Sequence, residues 1–102
     1  MIIYNVTVNV ENDIRDQWVA WMRHIHIPDV MRTGKFRNYR FTEVMVDEES
    51  GTTFSIQYLA ASMDDLHDYQ QNHAAALQRE HTEKFPNKYV AFRTLLKLID
   101  QG

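Results

Sequence analysis

The amino-acid sequence predicts an α+β fold in which four strands and two helices follow one another in the order βαββαβ. Three observations predict it: four segments alternate apolar and polar residues with period two, two segments place apolar residues at helical spacing, and turn or capping residues separate them. We therefore expect one four-stranded antiparallel sheet with both helices packed on the same face. The 102 residues are enough for a single domain, 1–102.

The first ten residues predict a strand that is buried on one side. One face carries apolar and β-branched residues, and the other face is more polar. The residues of the first face are Ile2, Tyr4, Val6, Val8 and Val10.

A helical stripe follows, with Ile14, Trp18, Trp21 and Ile25 spaced as i, i+4, i+7 and i+11. This first helix is predicted to end near residue 26, because the residue before Pro28 is pushed out of the α region. A second short turn then opens at the proline and ends at a glycine, residue 34.

Residues 36–47 predict the second strand and residues 52–61 the third, with 47–51 as the hairpin turn between them. Gly51 can supply a positive φ in that turn. Phe54, Ile56 and Tyr58 alternate with polar residues, so they are predicted to face the helices.

The second helix is predicted to begin at Ser62, which a carboxylate follows three residues later, and to end at residues 85–87. Its apolar stripe includes Leu66, Tyr69, His73 and Leu77, and the same spacing extends to His81. Residues 89–99 predict the last strand. Its predicted helix-facing residues are Val90, Phe92, Leu96 and Leu98.

The order of these elements is that of the ferredoxin-like split βαβ unit. The face of the sheet turned away from the helices is predicted to mix polar and apolar residues, which makes it too apolar for solvent and too polar for a core. We therefore expect a symmetry mate to cover this face in a homodimer. The predicted interface residues are Asn5, Tyr39, Phe41, Gln57, Leu59, Arg93 and Leu95.

Composition and charge exclude several classes of function. A net charge of −3 argues against a binder of duplex nucleic acid or of membrane surfaces. RNA binding is not expected either, because the aromatic residues of the third strand are predicted to face the helices and leave no stacking platform. No apolar run is long enough for a membrane helix or a signal peptide, and the absence of cysteine is compatible with a cytoplasmic location.

Three stretches together resemble a bacterial family of domains of unknown function. They are MIIYNVTVNVE at the start, WVAWMRHIHIPDVMRTGKF in the first helix and its exit, and HAAALQREHTEKFPNKYVAFRTLL near the end. Members of this family are similar to the dimeric α/β-barrel group, in which two ferredoxin-like sheets assemble face to face. The resemblance implies that fold and a dimer, but no particular reaction, because the group includes cofactor-independent monooxygenases, haem-handling proteins and proteins without known activity.

A candidate ligand site is predicted between the sheet and the helices, near Pro28. Histidines from both helices and tyrosines from the sheet are expected to reach this layer, with tryptophans as apolar walls. The candidate ligand-binding residues are Tyr4, Trp18, Trp21, His24, His26, Tyr58 and His73. The alternative is that these side chains only fill the core and satisfy one another.

Arg93 lies within an otherwise apolar strand and must find partners. It is either an anchor for an anion, or it pairs across a subunit interface with Glu43 or with Gln57 and Asn5. The predicted direction of its side chain, away from the helices, favours the second role.

Two functions remain open. The first is a small homodimeric ligand-binding or regulatory protein that takes a small apolar or aromatic molecule. The alternative is a cofactor-independent enzyme, monooxygenase-like or isomerase-like, that uses histidine as a proton shuttle on a small aromatic or apolar substrate. No catalytic residue is assigned, and neither a metal site nor a cofactor is expected, because no ligand spacing or cofactor-binding motif is found.

Overall fold

The computed structural model describes residues 1–46 and 50–102, and within them four strands form one sheet. The strands are β1 (Ile2–Val10), β2 (Asn38–Glu43), β3 (Thr52–Ala60) and β4 (Tyr89–Lys97). They lie in the order β2-β3-β1-β4, and each neighbouring pair is antiparallel. This is the ferredoxin-like arrangement, so the predicted fold class is confirmed.

The first helical region runs without interruption past Pro28. A 3₁₀ turn (Asn12–Ile14) leads into α1 (Arg15–Trp21), a π turn (Met22–His26) and α2 (Ile27–Arg32). The predicted end near His26 is wrong, because Ile27 keeps helical angles (φ −61°, ψ −45°) and its N–H donates to the carbonyl of Met22, five residues back. The wider π turn accommodates a proline whose ring would clash with a carbonyl in a regular helix. Gly34 ends the region as predicted, with a φ of 76°.

The second helical region is divided at His73. Its two parts are α3 (Met63–Asn72) and α4 (Ala74–Lys84). Ser62 caps α3 as predicted, since its hydroxyl accepts a hydrogen bond from the N–H of Asp65 at 3.2 Å. The predicted continuous stripe is wrong, because His73 leaves the helical conformation (φ −127°, ψ −37°).

The hairpin between β2 and β3 differs from the prediction in two respects. β2 is shorter than the predicted 36–47, and residues 47–49 of the predicted turn lie outside the described residues. Gly51 does not have the predicted positive φ. Its lack of a side chain is needed for space instead, because a Cβ atom there would lie 2.7 Å from the carbonyl oxygen of Val10.

The register of β2 places its aromatic residues on the helix-facing side. Tyr39 lies opposite Tyr58, and Phe41 lies opposite Ile56. Directly opposed residues of antiparallel strands share a face. The prediction that Tyr39 and Phe41 lie on the open face is therefore wrong.

The same correction applies to β4. Arg93 lies opposite Val6 and Leu95 lies opposite Tyr4, so both belong to the helix-facing side. The residues predicted to face the helices lie on the open face, where Val90 and Phe92 are 71% and 63% exposed. The prediction assumes that even-numbered residues face the helices in all four strands. Each connection between strands can shift this pattern by one residue, and such a shift turns every side chain of the next strand to the other face.

The core lies between the helices and the helix-facing side of β1 and β3. Val8, Phe54 and Ile56 from the sheet pack with Trp18 and Leu66 from the helices, and each is less than 5% exposed. No helix in the described part of the chain is long and apolar enough to cross a membrane.

Candidate functional site

A small cavity remains in this core, between the sheet and both helical regions. Its volume is about 20 Å³, which is room for one water molecule. We call it the inner cavity. Its polar lining residues are Tyr4, His26, Tyr58, Tyr69, Gln78, His81 and Arg93.

A larger concave surface lies beside it, between α4 and β4. This outer cleft has a volume of about 360 Å³, and its walls include Ala74, Ala75 and Leu95. Tyr4, Gln78 and Arg93 line both spaces. These three side chains therefore separate the outer cleft from the inner cavity.

His81 is held by packing and by one hydrogen bond. Its ring stacks on Tyr89 with centroids 3.9 Å apart, and its Nε2 accepts a hydrogen bond from Nε1 of Trp18 at 2.9 Å. Because an indole N–H can only donate, Nε2 carries the lone pair and the proton of the neutral ring lies on Nδ1. Burial lowers the pKa of His81 to about 3, and the charges of His26 and Arg93 act in the same direction.

His26 closes the other side of the inner cavity, at the end of the π turn. Its ring stacks on Trp21 at 5.0 Å and lies 5.4 Å from the ring of His81. Burial lowers the pKa of His26 to about 4, with a smaller opposing contribution from Asp29. Its buried Nδ1 has no hydrogen-bond partner among the described residues. Because an unpaired buried polar atom costs roughly 1–3 kcal/mol, this nitrogen marks a position for a water molecule or a ligand atom.

The tyrosines of the inner cavity stay protonated. Burial raises the pKa of Tyr4, Tyr58 and Tyr69. Arg93 and Gln78 approach the Tyr4 hydroxyl and oppose part of this rise. The cavity is therefore lined by hydroxyl groups and neutral imidazoles, with one cation, the Arg93 guanidinium, at its boundary with the cleft.

Arg93 forms no ion pair within the part of the chain that the structure describes, where each ion pair joins other residues. Glu43, one of its predicted partners, is bound by Arg15. Asn5 and Gln57 lie opposite each other on the other face of the sheet. The predicted direction of Arg93, which favoured an inter-subunit role, is wrong, and its position favours the anion-binding alternative.

The structure brings together only some of the predicted site residues. Tyr4, His26 and Tyr58 line the inner cavity. Trp18 and Trp21 lie behind the histidines and hold them by stacking and hydrogen bonding. His24 is exposed in a different groove, and His73 contacts the ring of Tyr69 at 6.3 Å without lining the cavity.

Four polar lining residues of the inner cavity are not among the predicted ligand-binding residues. His81 is predicted on the helical stripe, four residues after Leu77, but that spacing does not assign it to the site. Tyr69 is also on that stripe, and a place on an apolar stripe is equally typical of a residue that only fills the core. Gln78 has no distinguishing pattern, and Arg93 was assigned to the wrong face. Within the described ranges, no three histidine or acidic side chains are close enough together to hold a metal ion.

Comparison with solved structures shows which known proteins share this fold. HapK from Hahella chejuensis is similar at a TM-score of 0.74 and 5% identity, covering 100% of this chain and 96% of that one. A dimeric ferredoxin-like protein from an uncultured marine organism gives 0.70 and 7%, covering 100% and 98%. SnoaB, a cofactor-independent oxygenase from Streptomyces nogalater, gives 0.66 and 7%, covering 98% and 95%. The chain shares the ferredoxin-like fold with these proteins.

The particular family follows from the sequence comparison. Residues 1–99 match the family described as "Domain of unknown function (DUF4286)", and the chain belongs to it. The predicted resemblance to a family of unknown function is thereby confirmed. No protein of curated function matches the chain in sequence.

Proposed function

We propose that this protein is a homodimer that binds a small, largely apolar molecule with one anionic group, through the outer cleft and the inner cavity. The observation that carries the proposal is the Arg93 guanidinium. It has no ion-pair partner in residues 1–46 and 50–102, and it stands with Tyr4 and Gln78 at the boundary of a cavity whose other polar groups are neutral.

The chemistry of the walls supports this class of ligand. A guanidinium binds a carboxylate through two parallel hydrogen bonds, and the Tyr4 hydroxyl and the Gln78 amide can add further donors. Ala74, Ala75 and Leu95 supply apolar surface. The cleft volume of about 360 Å³ falls in the range of ligand pockets, roughly 300–1,000 Å³.

The pKa values of the two histidines favour binding over catalysis. A general base is most effective when its pKa lies near the working pH. A pKa of about 4 for His26 and of about 3 for His81 makes both imidazoles weak bases at neutral pH.

A cofactor-independent enzyme is the second candidate, and the unpaired Nδ1 of His26 favours it. A bound anion beside this ring would raise its pKa, and the imidazole could then accept one proton from the ligand. SnoaB, which shares the fold, is a cofactor-independent oxygenase. Turnover of a bound aromatic acid that His26→Phe abolishes without weakening its binding would select this candidate.

Benzoate, with benzamide as its uncharged match, tests the binding function by NMR titration of ¹⁵N-labelled protein. We expect benzoate to shift the amides of Tyr4, Gln78 and Arg93, and Arg93→Gln to weaken its binding about tenfold, because a charged hydrogen bond is lost. The control is Arg37→Gln, which removes an exposed arginine that lines neither the outer cleft nor the inner cavity. Equal binding of benzoate and benzamide would contradict an anionic ligand.

The homodimer is proposed to form through the open face of the sheet. Phe92 and Val90 are largely exposed there, and the predicted interface residues Asn5, Gln57 and Leu59 share that face. One of the similar structures is a dimeric ferredoxin-like protein. Light scattering should give twice the protomer mass of 12.1 kDa, and Phe92→Glu should give the protomer mass, because it places a charge in the apolar part of the interface. A single-protomer mass for the unmodified protein at millimolar concentration would overturn the dimer.

A further inference from the structure

A second concave surface lies at the opposite edge of the sheet, between the first helical region and β2. This surface, the β2 groove, has a volume of about 480 Å³. Its floor consists of Val19, Ile27, Phe41 and Phe54. Because β2 and β4 are the two edge strands, the groove is separate from the outer cleft and shares no lining residue with it.

The floor of the groove is continuous with the aromatic core. The ring of Phe41 lies 5.7 Å from that of Phe54 and 5.7 Å edge-on to that of Trp18. Ile27 and Phe54 are 1% and 4% exposed, whereas Phe41 is half-buried. A planar ring placed in the groove would extend this aromatic packing, since offset and edge-to-face contacts between rings are favourable.

The charges around the groove are unbalanced. Among the lining residues two arginines, Arg15 and Arg23, stand against one carboxylate, Glu43, which Arg15 binds. Arg15 also pairs with Asp16, an exposed residue that does not line the groove. Arg23 and His24 line the helical side, and neither forms an ion pair in the described part of the chain. The groove therefore presents an excess of positive charge beside an apolar floor.

Both of these side chains belong to the π turn. Within Met22–His26, Arg23 and His24 are exposed at the groove, while His26 is buried at the inner cavity. Single π turns within α-helices occur frequently at functional sites. Here the turn supplies polar groups to two separate concave surfaces.

We propose that the β2 groove binds a planar aromatic carboxylate, with its ring on Phe41 and Val19 and its carboxylate at Arg23 and His24. Charge complementarity selects an anion, and the aromatic floor selects a ring. The volume of about 480 Å³ is within the roughly 300–1,000 Å³ of small-molecule pockets. This site does not depend on the ligand proposed for the outer cleft.

The test is an NMR titration of ¹⁵N-labelled full-length protein with 1-naphthoate, and with 1-naphthamide as the uncharged match. We expect saturable shifts at the amides of Arg23, His24 and Phe41. Arg23→Gln should weaken 1-naphthoate binding about threefold to fivefold, as expected for an ion pair open to solvent, and should leave 1-naphthamide binding unchanged. Arg79→Gln, an exposed arginine of α4, is the matched control and should change neither.

Each other outcome overturns the proposal. Shifts confined to Tyr4, Gln78 and Arg93 would place 1-naphthoate in the outer cleft, and no shift at millimolar 1-naphthoate would leave the groove without this ligand. An unchanged affinity in Arg23→Gln would contradict recognition of the carboxylate. Groove amides that shift with protein concentration alone would show that a second copy of the chain covers the groove.

Discussion

The layer between the sheet and the helices has two ends with different polar chemistry. The histidine end consists of Trp18, Trp21, His26, His81 and Tyr89, and the tyrosine end consists of Tyr4, Phe36, Tyr58 and Tyr69. Each contains stacked aromatic rings, Trp21 on His26 and His81 on Tyr89 at the first end and Tyr4 on Phe36 at the second. At the histidine end the buried polar atoms are ring nitrogens, since the Tyr89 hydroxyl lies in an exposed hydrogen bond with Thr82. At the tyrosine end they are hydroxyl groups at the tips of the side chains.

This difference determines which ionisation each end resists. Burial lowers the pKa of His26 and His81, so protonation is unfavourable at the histidine end. Burial raises the pKa of Tyr58 and Tyr69, so loss of a proton is unfavourable at the tyrosine end. Acid should therefore destabilise the fold through one end and alkali through the other.

The largest effect is expected for Trp18→Ala at the histidine end. Trp18 is fully buried and donates to Nε2 of His81, so the substitution removes core packing and leaves a buried acceptor unpaired. We expect the free energy of unfolding to fall by about 3–5 kcal/mol, measured by denaturant titration. Trp18→Phe keeps a ring but removes the donor, so it should lower the free energy of unfolding by less than Trp18→Ala does. A loss below about 1 kcal/mol for Trp18→Ala would contradict the role of this contact.

The second-largest effect is expected for the dependence of stability on acid pH. Because the pKa of His26 falls from 6.5 to about 4 on folding, full stability is present above pH 6.5 and is lost as pH falls towards 4. His26 alone accounts for up to about 3 kcal/mol of this loss.

His26→Phe should therefore flatten the dependence of unfolding free energy on pH between 6.5 and 4. At pH 7 it should leave stability unchanged or raise it, because it removes the unpaired buried Nδ1. His67→Phe, at an exposed histidine of α3, is the control and should keep the slope. An unchanged slope in His26→Phe would show that this ring is not protonated on unfolding over that range.

The two ends also differ in how much of their structure the sequence alone predicts. The prediction that Tyr4 and Tyr58 face the helices agrees with the register, because in both central strands one face is far more apolar than the other. His81 is not predicted as a site residue, because the helical spacing of a polar residue does not indicate which distant side chain binds it. Here that partner is Trp18, 63 residues away.

The edge strands explain the remaining errors. In β4 both alternating sets contain apolar residues, for example Phe92 on one face and Leu95 on the other, so hydrophobicity does not select a face. The register with β1 decides it, and register depends on contacts between distant segments. Arg93 therefore could not be placed beside Tyr4 by pattern alone.

The alkaline dependence of stability is the counterpart at the tyrosine end. Because burial raises the pKa of Tyr58, stability is full below the ordinary pKa of 10.0 and is lost as pH rises above it. We expect a slope of up to about 1.4 kcal/mol per pH unit for this residue, and Tyr58→Phe should remove it. Tyr39→Phe, at a 45% exposed tyrosine of β2, is the matched control. Equal slopes in the two variants would show that the buried Tyr58 hydroxyl does not cause the alkaline loss of stability.

The smallest effect on stability is expected for Tyr4→Phe, which separates packing from binding at the boundary of the inner cavity. The ring contacts with Phe36 at 6.0 Å and with Tyr69 at 5.8 Å are retained, so the free energy of unfolding should change by no more than about 1 kcal/mol. The hydroxyl that Arg93 and Gln78 approach is lost, so benzoate binding in the NMR titration should weaken about threefold to tenfold. Tyr69→Phe removes a hydroxyl of the same cavity that does not line the outer cleft, and it should leave the affinity nearly unchanged. Equal weakening by both substitutions would mean that the ligand reaches the inner cavity, whereas no weakening by either would mean that the tyrosine end contributes packing alone.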